Sequence, residues 1–342
     1  MERRSVIKGA ILLAGASPEL WAIDDSRHLE SMLSQWDRDE HPDLRAVVVM
    51  SKGTVVAERY FNGETPRALH DIRSAGKSIT SLLVGAAMDR GHIHSVSDPV
   101  RRYWPEARNS AIGDVSLKDV LTMRSGLAAF DEQADSPGNE DRLDEAADPV
   151  AFALSIPRAN PPGTVYRYNS LTAYVAGLVV EKATGQRLAE FARSALFNPL
   201  GIKRLEWTAD AAGHTKGQGN LSLTARDFAT IGQMVLSNGT YRGARVLSAD
   251  WIAESLKPRI SISSSDPYAD EYGYFWYHKT HDVAGRRIAV SFASGNGGNK
   301  IYTVPSRQLV VAITSSAYGR GYGQRRSEAI LKSLLGLMHL SN

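Results

Sequence analysis

The chain has 342 residues, 43% of them hydrophobic and 23% charged, with a formal net charge of +3 and no cysteine. That length buries a sizeable core, as one large domain or as two lobes sharing a cleft. The small charge argues against a nucleic-acid or anionic-membrane partner, and the lack of cysteine excludes disulfides, thiolate chemistry and cysteine-based metal sites.

Residues 1–16, MERRSVIKGAILLAGA, place Arg3, Arg4 and Lys8 ahead of a short apolar stretch and a small-x-small site at Ala14–Ala16, with Ala22 as an alternative cut. The spacing predicts a twin-arginine export leader over residues 1–22, and therefore a periplasmic or secreted protein; the alternative is a plain basic start on a cytoplasmic one. The apolar stretch is far shorter than the ~20 residues that span a bilayer, so stable membrane insertion is not expected.

Asp24 to Trp36 carries Leu29, Met32, Leu33 and Trp36 at helical spacing. Leu44–Met50 and Thr54–Tyr60 are β-rich runs joined by Ser51-Lys52-Gly53, which predicts a hairpin. Ile79, Leu82, Leu83, Ala86 and Ala87 mark the buried stripe of a helix from about Ser74 to Arg90. Helix patterns follow at 117–123, 174–184, 188–196, 225–237 and 249–256, with Gly185, Gly201 and Gly239 where helices are expected to stop. The acidic stretch 131–148 reads as a solvated surface excursion placed where it can overhang a cleft. Strand patterns return at 273–277, 287–292, 300–304 and 309–314, and 325–339 closes with a helix. This order predicts an α/β (α+β) fold. Residues 24–85 and 266–340 would form one lobe around a shared sheet, and 86–265 an inserted, mainly helical lobe.

Chemistry concentrates at Asp71-Ile-Arg-Ser74-Ala-Gly-Lys77, where a Ser and a Lys stand at i and i+3 on one helix face. A serine hydroxyl becomes a nucleophile when a base takes its proton, and a neutral amine can serve. Burial and the positive end of the helix dipole are expected to disfavour the ammonium form of Lys77. The bland alternative is an N-capping serine beside a solvent-facing lysine. His92 and His94, like His278 and His281, which are placed on a turn between strands, lack a carboxylate at metal-ligand spacing, and no Gly-x-Ser-x-Gly elbow occurs.

Further segments fall in order: Thr122–Leu127, Pro162-Gly-Thr-Val-Tyr-Arg-Tyr168-Asn-Ser170, Gly219-Asn-Leu-Ser, Asn238-Gly-Thr-Tyr, and Ala293-Ser294-Gly295-Asn296-Gly297-Gly298. From about residue 43 to 317 the chain resembles the β-lactamase-related serine hydrolases. That group includes the class C β-lactamases, the D-alanyl-D-alanine carboxypeptidases, and their esterase and nylon-oligomer-hydrolase relatives. The resemblance implies a β-lactamase/DD-peptidase-like antiparallel sheet flanked by helices. It makes Ser74 the acylated nucleophile, Lys77 its activator and Tyr168 a proton shuttle, with Tyr166 the rival if the register slips by two. Asn296 would supply a backbone N–H to the oxyanion hole beside Gly295, where a missing side chain lets substrate approach. Ser170 and Ser294 would touch substrate.

Two departures matter. Ser170 stands where the β-lactamases and peptidases carry an Asn, and Ala293 where they carry a Lys or His facing a substrate carboxylate. Loss of that charge-assisted bond, ~1.5–3 kcal/mol, points to neutral esters or amides as substrates. The alternatives are a weak β-lactamase or D-stereospecific peptidase, or a sensor that binds cell-wall peptides with little turnover. The expected partner is a small-molecule ester or amide. No cofactor or metal is implied, and the oligomeric state is left open.

Overall fold

The structure, a computed structural model, describes residues 23–340; the stretch read as an export leader lies outside them. An eight-stranded sheet carries the molecule. Its strands are β1 (Leu44–Ser51), β2 (Thr54–Tyr60), β3 (Ile260–Ser261), β4 (Glu271–Tyr272), β5 (Tyr277–Val283), β6 (Arg286–Gly295), β7 (Asn299–Val304) and β8 (Leu309–Ser315). Their order across the sheet is β2-β1-β8-β7-β6-β5-β4-β3, with every described pairing antiparallel. The first hairpin turns at Lys52 and Gly53, whose φ angles of 49° and 83° fit the right-handed twist of the strands it joins. Strands from early and late in the chain meet where β1, one strand in from the β2 edge, pairs with β8.

Strands β7 and β8 are buried at every position, and β1 at every position except Arg45. Such runs arise when both faces of a sheet are covered. Helix α1 (Ile23–Ser34) opens the described chain, α2 (Gly76–Asp89) follows the first hairpin, and α3 (Ser170–Thr184), α4 (Ala225–Leu236), α5 (Ala249–Leu256) and α6 (Gly321–Leu340) complete the main helices. Helix α4 lies on β1, β7 and β8. It comes so close at Gly232 that a Cβ there would stand 2.4 Å from Ile301 and 2.7 Å from Val310. Helices α1 and α6 pack together and close the opposite face. Helix α2 is buried from Gly76 to Ala87, between α3, α5 and the sheet. The Trp251 indole occupies the space beside Gly85 and donates to Ser81 O at 3.2 Å.

Both α4 and β3 fall within 86–265, the stretch read as an inserted helical lobe, yet β3 pairs in the sheet and α4 packs on its face. Of residues 273–277, read as a strand, only Tyr277 pairs, as the first residue of β5; residues 273–276 form a turn between β4 and β5. Phe275 takes a φ of 60° and Gly273 packs against Ser255 O. The segment is apolar because it is buried, and burial without pairing mimics a strand in sequence. His278 and His281 lie on β5 and face inward, not on a turn. The acidic excursion contains one short helix, Glu140–Glu145 capped by Asn139, and its last residue, Asp148, caps the next, Pro149–Ser155.

Candidate active site

A small three-stranded sheet holds the nucleophile segment. His70–Asp71 pairs with Leu221–Leu223, which pairs with Glu206–Trp207, and Ile72 N–H donates to Leu221 O at 3.0 Å. A tight turn, Arg73–Ala75, then leads into α2. Arg73 takes a φ of 52°, a left-handed conformation unusual for a side-chain-bearing residue, and its N–H is held by Asp71 Oδ1 at 2.8 Å. The neighbours press on this turn with bare backbone. A Cβ on Gly295 would stand 2.1 Å from Ile72 O, and one on Gly219 would stand 3.0 Å from Arg73 O. The closest approach at Gly295 is therefore made by the nucleophile turn, which explains the glycine differently from the substrate access expected of it.

Ser74 Oγ does not cap the helix: the cap residue is Ala75, and no side chain bonds there. Instead Lys77 Nζ donates to Ser74 Oγ at 2.9 Å, to Ser170 Oγ at 3.0 Å and to Gln218 O at 2.9 Å. Lys77 is 2% exposed and Ser170 is fully buried, so the lysine is not the solvent-facing group of the bland alternative. The Tyr168 ring centre lies 5.0 Å from Lys77 Nζ. Tyr166 packs edge-on against Tyr272 with ring centres 5.4 Å apart. Of the two tyrosines, Tyr168 is thus the one set against the Ser–Lys pair.

Burial is the largest influence on Lys77 and by itself lowers its pKa. The charge and hydrogen bonding of Tyr168, with the charges of Glu140 and Asp131, outweigh it, and the net displacement is upward. The deprotonated lysine expected from burial and helix position is not what these neighbours favour. Three acceptors around Nζ match the three N–H bonds of an ammonium group.

Two of those charges come from the acidic stretch. It does not lie free in solvent: Asp131 N–H donates to Tyr168 O at 3.2 Å, and Asp131 Oδ2 accepts from Ser170 N–H at 2.7 Å. Asp131 is pushed up to about 6, chiefly by burial and further by Glu140, against the opposing pull of Lys77. Ser74, Tyr166, Tyr168, Ser294, Gly295 and Asn296 all line one cleft of about 440 Å³, and Phe130, Asp131, Glu132 and Glu140 form its acidic wall. Asn296 commits its side chain to Gly319 N–H at 2.8 Å, which leaves its main chain as the part that can serve the cleft.

Sequence reasoning did not pick out Asp131, Gln218 or Lys300. Lys300 also lines the cleft, and its Nζ donates to Ser294 Oγ at 2.7 Å. Ala293 is fully buried. By strand alternation it shares the face that Gly295 turns to the nucleophile turn, whereas Ser294 turns to the cleft. Among the described residues, no group of three or more His, Asp or Glu side chains is arranged to hold a metal ion, and no helix is long and apolar enough to cross a membrane.

The fold is thus a sheet closed by helices on both faces, with a Ser–Lys pair at the start of a buried helix. Residues 39–335 match the family described as Beta-lactamase, and the chain belongs to that family. A 6-aminohexanoate-dimer hydrolase of Paenarthrobacter ureafaciens is 31% identical over 223 residues, which is 62% of this chain and 56% of that protein. Esterase EstB of Burkholderia gladioli is 32% identical over 148 residues, 40% of this chain and 37% of that one. The matched part thus spans about half or less of the length of these curated relatives. Among solved structures, EstCE1, a hydrolase with promiscuous acyltransferase activity, has a TM-score of 0.73 at 14% identity, covering 92% of this chain and 100% of that one. A class C beta lactamase from Rhodobacter sphaeroides has a TM-score of 0.66 at 18% identity, covering 91% and 99%. At these identities the likeness is one of fold.

Proposed function

We propose that the protein is a hydrolase of small-molecule esters or amides that works through an acyl-enzyme on Ser74. The observation that carries this reading is the Lys77 ammonium shared between Ser74 Oγ and Ser170 Oγ at 2.9 and 3.0 Å, with Tyr168 beside it in an open cleft.

With Lys77 held protonated, the group that relays the proton is the Tyr168 hydroxyl, whose ring centre lies 5.0 Å from Lys77 Nζ. Ser74 Oγ attacks the carbonyl carbon and gives its proton to Tyr168. Backbone N–H groups of Ser74 and Asn296 receive the oxyanion. The carbon–heteroatom bond breaks, and Tyr168 passes the proton to the departing alcohol or amine. Water repeats the sequence: it loses a proton to Tyr168 as it attacks the acyl carbon, and the proton returns to Ser74 Oγ as the acid leaves. The same groups serve both halves, as microscopic reversibility requires.

The family resemblance to an amide hydrolase and an esterase supports the substrate class, and the paired hydroxyls on one buried ammonium support the mechanism. A fluorophosphonate probe is expected to label the peptide containing Ser74, read by mass spectrometry. Ser74→Ala should lower kcat on 4-nitrophenyl esters by several orders of magnitude, on the scale of ~10⁶ for loss of a catalytic serine. Adducts on another serine, or an active alanine variant, sink the reading.

A further inference from the structure

Lys300 sits in β7 directly across from Ser294 of β6, so the two side chains leave the same face of the sheet. It is 2% exposed, yet it lines the cleft that holds Ser74. Its Nζ donates to Ser294 Oγ at 2.7 Å and lies 4.7 Å from the Phe292 ring centre. Among the described residues, no carboxylate stands within ion-pair distance of it. Glu328 of α6 is engaged by Lys279 at 2.8 Å and by Lys332 at 3.5 Å.

A buried amine whose partners are one hydroxyl and aromatic faces is unfavourable for folding. A nonpolar side chain of similar length would pack there without that cost. Such groups concentrate where a ligand later supplies the missing partner. Ser294 Oγ accepts from Lys300, which leaves its own O–H to donate, and both residues line the cleft. The floor of the cleft therefore offers two donors side by side, an ammonium N–H and a hydroxyl O–H, at spacing suited to the two oxygens of a carboxylate.

We propose that Lys300 is the anion anchor of this cleft: with Ser294 it binds a carboxylate carried by the substrate, so that singly anionic esters or amides are accepted alongside neutral ones. The inference rests on the hydrolase reading above and names a specificity-determining residue within it. Ala293 supplies no cation, and the neighbouring strand does. Burial lowers Lys300 to about 7, against the raising influence of Asp266 and Glu328, so the anchor is charged in mildly acidic solution and is lost as pH rises through that value. The charged groups that act on it are Asp266 on the cleft wall, Glu328 on α6 and Lys279 on β5. Asp131, in the opposite wall, titrates lower, at about 6.

Two ester pairs test this. 4-Nitrophenyl hydrogen glutarate against 4-nitrophenyl butyrate places the carboxylate on the acyl side, and 3-acetoxybenzoate against phenyl acetate places it on the leaving group. The reading is the anionic-to-neutral ratio of kcat/KM, which follows ionisation of the free enzyme. In at least one pair, Lys300→Met should lower that ratio about tenfold at about pH 6, and Lys300→Gln should do the same. The wild-type ratio should keep falling between about pH 7 and about pH 8, above the range in which Asp131 titrates. Ratios equal in wild type and variants for both pairs overturn the anchor. If neither variant folds, a wild-type ratio that is flat above about pH 7 overturns it. If no ester is turned over, the hydrolase reading fails separately. The anchor is then read from calorimetric binding of methyl hydrogen glutarate: affinity about tenfold weaker at about pH 8.5 than at about pH 6 supports it, and equal affinity overturns it.

Discussion

Lys77 and Asp131 face one another across Ser170, and each moves the other's ionisation. Asp131 Oδ1 is buried without a hydrogen-bond partner among the described residues, while Oδ2 accepts from Ser170 N–H. A carboxyl raised to about 6 from an ordinary 3.8 favours the folded state below the lower value, and that contribution is lost as pH rises through the upper one. Near pH 8 the ionised Asp131 is thus a liability of up to about 3 kcal/mol, before discounting for partial exposure. Asp131→Asn keeps an acceptor for Ser170 N–H and removes the charge. Its Tm should exceed that of the wild type near pH 8 and match it near pH 4, as read by calorimetry; a gain that is equal at both values contradicts the assignment. Ser74 and Lys77 could be found in the sequence because helix geometry alone brings i and i+3 together. Asp131 could not, since it reaches Ser170 through a loop 39 residues away in the chain.

Among the elements, the nucleophile turn depends on strand β6 more than on its own helix. Gly295 closes the end of β6 against Ile72 O, where a Cβ would overlap at 2.1 Å. Gly295→Ala should therefore displace the turn and lower kcat about a hundredfold, the scale expected when a reacting group moves by ~1 Å. Gly336→Ala is the control: nothing lies within 4 Å of its would-be Cβ on α6. It should raise stability by up to about 1 kcal/mol through helix propensity alone and leave kcat as it was. Equal kcat in both variants would show that the turn does not lean on β6. The glycines of this segment were legible as a turn before a strand. That one of them makes room for another segment's carbonyl was not, because a close backbone approach leaves no mark on local spacing.

On the scale of the whole molecule, buried histidines from two sheets, His278 and His281 on β5 and His70 beside the nucleophile turn, lose their stabilising contribution together on acidification. Burial lowers His278 to about 4, and it also lowers His70 and His281 despite the nearby carboxylates Glu64 and Glu328. A histidine whose folded pKa lies below its ordinary 6.5 stabilises the fold above 6.5 and loses that contribution as pH falls toward the folded value. For His278 the loss is at most about 3 kcal/mol. The Tm should fall between about pH 6.5 and about pH 4, and His278→Gln should flatten part of that fall. A pH-independent Tm across the window rules out the buried neutral histidines.

The sequence by itself determined the parts whose signal is local. These are the hairpin at Lys52-Gly53, the buried stripe of α2, the helix stop at Gly185 with a φ of 70°, the alternation of β6, and the Ser74–Lys77 pair. Each depends on neighbours within a few residues, so periodicity and spacing carry it. Tertiary structure decided that β3 joins the sheet and α4 packs on it, that 273–276 turns instead of pairing, that the acidic stretch walls the cleft, and that Lys300 lies under Ser294. It also decided the sense in which Lys77 ionises, because its charged neighbours come from residues 131, 140 and 168. Electrostatic energy depends on distance through space, and the chain sets that distance only once it has folded.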